Sequence, residues 1–184
     1  MGYALAAAAA ALGWQVDLVS GPVALAPPPG VTVHRVTSAA DMLAAVEKLF
    51  DTCDVLIKTA AVSDFRPKDR LDHKVKKRDA ALVVEFEPTV DILKTVAARK
   101  KPGQLVVGFA AETQDVENYA RRKLAEKNLD FIVANDVGRP GAGFESDDNA
   151  VVLLGRDGSR VAFGHAPKTE LARQLLERLR AKVK

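Results

Sequence analysis

Val55-Leu56-Ile57-Lys58-Thr59-Ala60-Ala61-Val62 is a near-continuous apolar run. Such a run marks a strand covered on both faces rather than one with a solvated side. A second run of this kind is Leu105-Val106-Val107-Gly108-Phe109-Ala110. Between and around them the pattern alternates. Residues 1–12 read as an Ala-rich helix ended by Gly13. Residues 15–19 and 31–36 read as strands, separated by a Pro/Gly-rich loop. Ser38 is an N-cap for a helix over residues 39–50, with Met42, Val46 and Leu49 as its apolar stripe. A strand is expected over 82–87, a helix over 91–99, a helix over 116–127 and a strand over 131–134. The helix over 116–127 carries acidic residues early and basic ones late, matching its macrodipole.

From Gly138 the character changes. A glycine-rich loop precedes two alternating segments around Arg156-Asp157-Gly158-Ser159, an Asp-Gly hairpin signal. A closing helix follows over residues 167–183, with Leu171, Leu175, Leu176 and Leu179 on one face. Strands alternating with helices predict an α/β fold: a Rossmann-like, doubly wound, mostly parallel sheet with a C-terminal β-hairpin and closing helix. In such sheets ligands lie outside the carboxyl ends of the strands. The residues just after each strand are therefore where function is sought.

The 184 residues favour a single domain. A net charge of +3 and 5% aromatic residues argue against nucleic acid as partner. The lone Cys53 rules out a disulfide within the chain and suits a reducing compartment. No Lys or Arg precedes Arg35, so the apolar start lacks the positive region of a secretion signal. No apolar run reaches membrane-spanning length. A cytoplasmic location away from membranes is the expectation.

Five segments carry candidate chemistry. Ala60 to Pro67 combines small residues with Asp64, an acceptor, and Phe65, a stacking face; a capped turn and a core ring are the structural alternatives. The run Lys74-Val75-Lys76-Lys77-Arg78 suits an anionic ligand, or is a solvated loop. Gly108 suggests close approach by a ligand or another backbone. Near it Phe109 is core or a stacking surface, and Glu112 is a metal or hydroxyl ligand or a charge at the start of the next helix. Lys123 and Lys127 are four apart, on one helix face, and two such lysines can grip a phosphate. Asn135-Asp136 is either a ligand position or turn chemistry. There is no phosphate-loop or dinucleotide fingerprint, and the three histidines have no metal-ligand spacing. The sequence names no metal ligand.

Together these segments resemble a known family. GYALA after Met1, LVSGPV, TAAVSDFRP, HKVKK, VDIL, VVGFAAET, RRKLAEKNLDFIVANDV, GFESDDNAVVLL and the closing K-x-E-L-A-x-x-L-L are similar, in order, to bacterial phosphopantothenoylcysteine synthetases. The resemblance implies a ligase of coenzyme A biosynthesis. It would use CTP with Mg²⁺ to turn the carboxylate of 4′-phosphopantothenate into an acyl-cytidylate, which cysteine then attacks. It implies a homodimer, and fusion to a flavin-dependent phosphopantothenoylcysteine decarboxylase. Ala60, its neighbours Lys58 and Thr59, and Asp64 would contact the cytidine, with Phe65 beside them. Lys74, in the K-x-K-K run, would support formation of the acyl-cytidylate. Val90, Asp91, Ile92 and Leu93 would lie along the nucleotide. Phe109, Lys123 and Lys127 would complete its site, the lysines facing phosphates.

The family also has an upstream strand, a Gly-Gly-Thr turn and an Asn-x-Ser-Ser-Gly-Lys segment before the methionine that matches Met1. Residues 1–184 are therefore expected to form one synthetase domain without its first strand and phosphate-binding segment. Thr89-Val90 stands where the family more often has a proline next to the aspartate. Two other classes stay open: a non-catalytic nucleotide-binding or dimerisation module, and an NAD(P)-dependent oxidoreductase on a similar fold.

Overall fold

The computed structural model describes residues 1–69, 83–112, 114–136 and 148–183. Helix α1 (Gly2–Ala11) runs into Gly13, whose φ of 81° is the left-handed conformation that ends helices. Strands β1 (Val16–Ser20) and β2 (Val31–Arg35) pair in parallel, Val16 opposite Val31. Helix α2 (Ala39–Phe50) opens with a complete capping box: Ser38 Oγ accepts from Asp41 N, and the Asp41 carboxylate accepts from Ser38 N. Its buried stripe is Met42, Val46 and Phe50, so Phe50 takes the place expected for Leu49.

Strand β3 (Val55–Lys58) is followed by a short antiparallel arm made of β4 (Phe65–Pro67) and β5 (Phe86–Pro88). Helix α3 (Ile92–Ala97), β6 (Leu105–Glu112), α4 (Val116–Glu126) and β7 (Phe131–Asp136) come next. The hairpin β8 (Asp148–Gly155) and β9 (Arg160–Pro167) turns through Gly158 at φ 83°, and α5 (Lys168–Arg180) closes the chain as expected.

The main sheet has the order β3-β6-β7-β8-β9. Its first three strands are parallel, and the hairpin continues it antiparallel. Alternate residues of β6 and β7 face two apolar clusters, as the two-residue period of a strand requires. Val106, Ala110, Ile132 and Ala134 pack under α2, α3 and α4. Val107, Phe131 and Val133 pack under α1 and α5. The expected α/β layering, with helices on both faces of a mostly parallel sheet, is what forms.

Three expectations change in detail. The 55–62 run is a strand only to Lys58, because the chain then turns out of the sheet. The close protein neighbours of Gly108 are side chains and not another backbone: a β-carbon there would lie 2.8 Å from Leu129 Cδ1 and 3.2 Å from Leu93 Cδ1. The strand expected over 82–87 is β5, shifted to Phe86–Pro88, and it pairs with Phe65–Pro67, a segment whose polar neighbours hid its strand character.

β1–β2 forms a sheet of its own. β1 and β3 are not paired with each other, and both line a groove of about 630 Å³. Leu5 and Ala9 of α1 and Met42 and Val46 of α2 also line it. Because β3 faces this groove, all four of its residues are only half-buried.

Candidate active site at the carboxyl edge of the sheet

Parallel strands deliver their carboxyl ends to one edge, so the residues ending β3 and β6 become neighbours. Lys58 is the last residue of β3 and stands level with Gly108 of β6. Its ammonium donates to the Ala60 carbonyl at 2.7 Å, fixing the turn that follows. Burial, and then the nearby Lys127, pull the Lys58 pKa below its usual value; Asp91 and Asp64 pull the other way. A half-buried cation with no ion pair to a described carboxylate favours an anion brought to it.

α1 abuts the same turn. A β-carbon on Gly2 would fall 2.6 Å from Thr59 Oγ1, so the first turn of α1 rests on the residue after β3. From Asp64 the arm departs: the Asp64 carbonyl accepts from Thr89 N at 2.8 Å, clamping the two ends of the arm. Phe65 is 58% exposed on that arm, and Val90 is exposed beside α3. Lys74 lies outside the described residues.

Asp91 caps α3. Its Oδ1 accepts from Lys94 N at 3.1 Å, and its Oδ2 is 2.8 Å from Lys127 Nζ. Burial raises the Asp91 pKa, but the bonds from Lys127 and Lys94 and the nearby charges outweigh it, leaving the carboxyl below its usual range. Ile92 and Leu93 point into the core, so toward a ligand this segment offers its backbone, Val90 and Asp91. One turn back on α4, Lys123 Nζ is 2.6 Å from Glu112 Oε1 at the end of β6.

The structure thus brings Lys58, Asp91 and Lys127 together, with Asp64 in Coulombic reach of Lys58. It sets Lys123 one helical turn from Lys127, as their spacing predicts. Phe109 goes the other way. Half-buried, it packs with the cluster under α1 and α5. Glu112 braces Lys123, and the acidic residue in the first turn of α4 is Glu117 instead.

Two further polar atoms stand out, one on Asn135, which the sequence offered as a ligand position or turn chemistry, and one on Thr89, which it did not single out as a candidate. Thr89 Oγ1 and Asn135 Oδ1 are buried and have no hydrogen-bond partner among the described residues. An orphaned buried polar atom costs on the order of 1–3 kcal/mol, so each marks a place where a ligand donor is favoured. Asn135 had the weak signal of ending a strand. Thr89 had none.

Among the described residues no group of three histidines, cysteines or carboxylates is placed to hold a metal ion. A divalent ion carried by nucleotide phosphates needs only one or two carboxylates. Asp91 and Glu112 are the carboxylates beside the candidate phosphate lysines. No described helix is long and apolar enough to cross a membrane.

Residues 1–183 match the family model described as the DNA/pantothenate metabolism flavoprotein C-terminal domain. The chain is 51% identical over 182 residues to the coenzyme A biosynthesis bifunctional protein CoaBC of Bacillus subtilis, covering 98% of this chain and 45% of that protein. It is 46% identical to the CoaBC protein of Vibrio parahaemolyticus, with the same two coverages. It therefore spans about half the length of the curated relatives it matches. The crystal structure of the C-terminal domain of a CoaBC protein superposes with a TM-score of 0.80 at 46% identity, covering 97% of this chain and 79% of that one. A Rossmann-like sheet, a lysine-rich carboxyl edge and these likenesses agree: the chain belongs to the DNA/pantothenate metabolism flavoprotein C-terminal domain family.

Proposed function

We propose that this domain is a phosphopantothenate–cysteine ligase of coenzyme A biosynthesis. The observation that carries the reading is the convergence of Lys58, Lys123 and Lys127 on the carboxyl edge. Its family membership and its likeness to CoaBC proteins support it.

In the first step a carboxylate oxygen of 4′-phosphopantothenate attacks the α-phosphorus of CTP. The bond to the β-phosphate oxygen breaks, and pyrophosphate leaves with its negative charge. In the second step the amine of cysteine attacks the acyl carbon, loses a proton, and CMP departs. Charge develops on the phosphates in the first step, where fixed cations are worth most. Lys123 and Lys127 face the phosphates, and Lys74 supports formation of the acyl-cytidylate. Lys58, Thr59, Ala60 and Asp64 hold the cytidine, with Phe65 beside it, while Val90 to Leu93 border the nucleotide. Mg²⁺ accompanies the triphosphate and offsets part of its charge.

Three further parts belong to this proposal. The domain pairs with a second copy, supported by Phe65, Val83, Val84 and Phe86, large apolar side chains exposed on and beside one short arm. It works in the cytoplasm, fused to a phosphopantothenoylcysteine decarboxylase like the bifunctional relatives. The groove between β1 and β3 receives an upstream strand, supported by two strand edges without a partner among the described strands and by apolar helices above and below.

Calorimetric titration tests the nucleotide site. CTP with Mg²⁺ binds, and K127A weakens it by about tenfold, as loss of one charge-assisted contact should. Binding of NADPH without binding of CTP would support the oxidoreductase reading instead.

A further inference from the structure

Lys123 and Lys127 reach the carboxyl edge already paired, but their carboxylates do different jobs. Asp91 is tied to α3 by its bond from Lys94 N, whether or not a ligand is present. Glu112 caps no described helix, and its described side-chain partner is Lys123, at 2.6 Å. Glu112 is the last residue of β6, rigidly carried by the sheet and 19% exposed, whereas Lys123 is 39% exposed on a flexible stem. An unpaired lysine in that place would sample many rotamers, which ordering must overcome. The pair is also cheap to exchange, because a partly exposed ion pair contributes little to stability.

We propose that Glu112 is a positioning residue that stands in for a phosphate. It holds the Lys123 ammonium over the end of β6 in the ligand-free protein and yields it to the incoming triphosphate. This rests on the reading of Lys123 as a phosphate contact. The negative charge that positions Lys123 also competes with the ligand, and this gives the idea a signature that a plain structural brace lacks.

The test is titration of wild type, E112Q, E112D, K123A and the double variant E112Q/K123A with CTP and Mg²⁺, and separately with inorganic tripolyphosphate. Thermal unfolding of each variant confirms that it is folded. E112Q keeps the shape and removes the competing charge. Its Kd for both probes should fall about three- to tenfold at low salt. The gain should shrink toward wild type at about 0.5 M salt, where exposed charges are screened. E112D, which keeps the charge, should match wild type. In the K123A background E112Q should gain much less, because the competition is for Lys123. E112Q binding that is unchanged or weaker, with K123A impaired, overturns the stand-in role while leaving the phosphate site in place. An unchanged Kd for K123A overturns the phosphate reading itself, and this inference with it.

Discussion

The Lys127 ammonium lies 2.8 Å from the Asp91 carboxylate, joining the end of α4 to the cap of α3. One carboxylate thereby serves a helix start and a cation at once. Its two oxygens are divided between the jobs: Oδ1 takes the Lys94 amide and Oδ2 takes Lys127. Two substitutions separate them. D91N keeps a cap acceptor and should unfold near the wild-type temperature. D91A loses the cap and should cost about 1 kcal/mol, read by urea unfolding. Both should alter nucleotide affinity, since both release Lys127.

A second prediction concerns Gly108. Leu129 and Leu93 fill the space a side chain would need. G108A should therefore destabilise the domain by about 1–3 kcal/mol through overpacking, measured by urea unfolding. Had a ligand filled that space, the same substitution would change affinity and spare stability.

Acid should loosen an exposed pairing on α5. Arg173, helped by Gln174, holds the Glu170 carboxyl at about 2, against an ordinary value of 4.5. The folded value lies below the unfolded one, so the pairing stabilises fully above about pH 4.5. That contribution fades as pH falls toward 2. E170Q should flatten this part of the stability-versus-pH curve and leave the neutral region almost unchanged, followed by circular dichroism.

The groove predicts a pattern of hydrogen exchange. β1 pairs only with β2 and β3 only with β6 among the described strands, so amides directed into the groove lack sheet partners. They should exchange much faster than those of β6 and β7, which are paired on both sides. Adding an upstream strand in the same polypeptide should protect them.

Most of this architecture was readable because apolar periodicity and capping are local. Ser38, Gly13 and the Asp-Gly turn at Asp157-Gly158 each act within a few residues, and each stands where expected. The arm was not readable in this way. Phe65–Pro67 is only three residues long and gains its strand character from Phe86–Pro88, about twenty residues away. At the site, the spacing of Lys123 and Lys127 correctly set them one turn apart. Their carboxylate partners come from β6 and the cap of α3, and no local pattern in α4 points to either. Burial of Ile92 and Leu93 likewise depends on how α3 sits on the sheet.

The most direct measurement is mass spectrometry after incubation with CTP, Mg²⁺ and 4′-phosphopantothenate, without cysteine. It is run on this chain and on a version carrying the upstream strand and Asn-x-Ser-Ser-Gly-Lys segment. A phosphopantothenoyl-cytidylate formed by the extended version, discharged on adding cysteine and lost in K74A, is the predicted result. No such species from either version would contradict the ligase account.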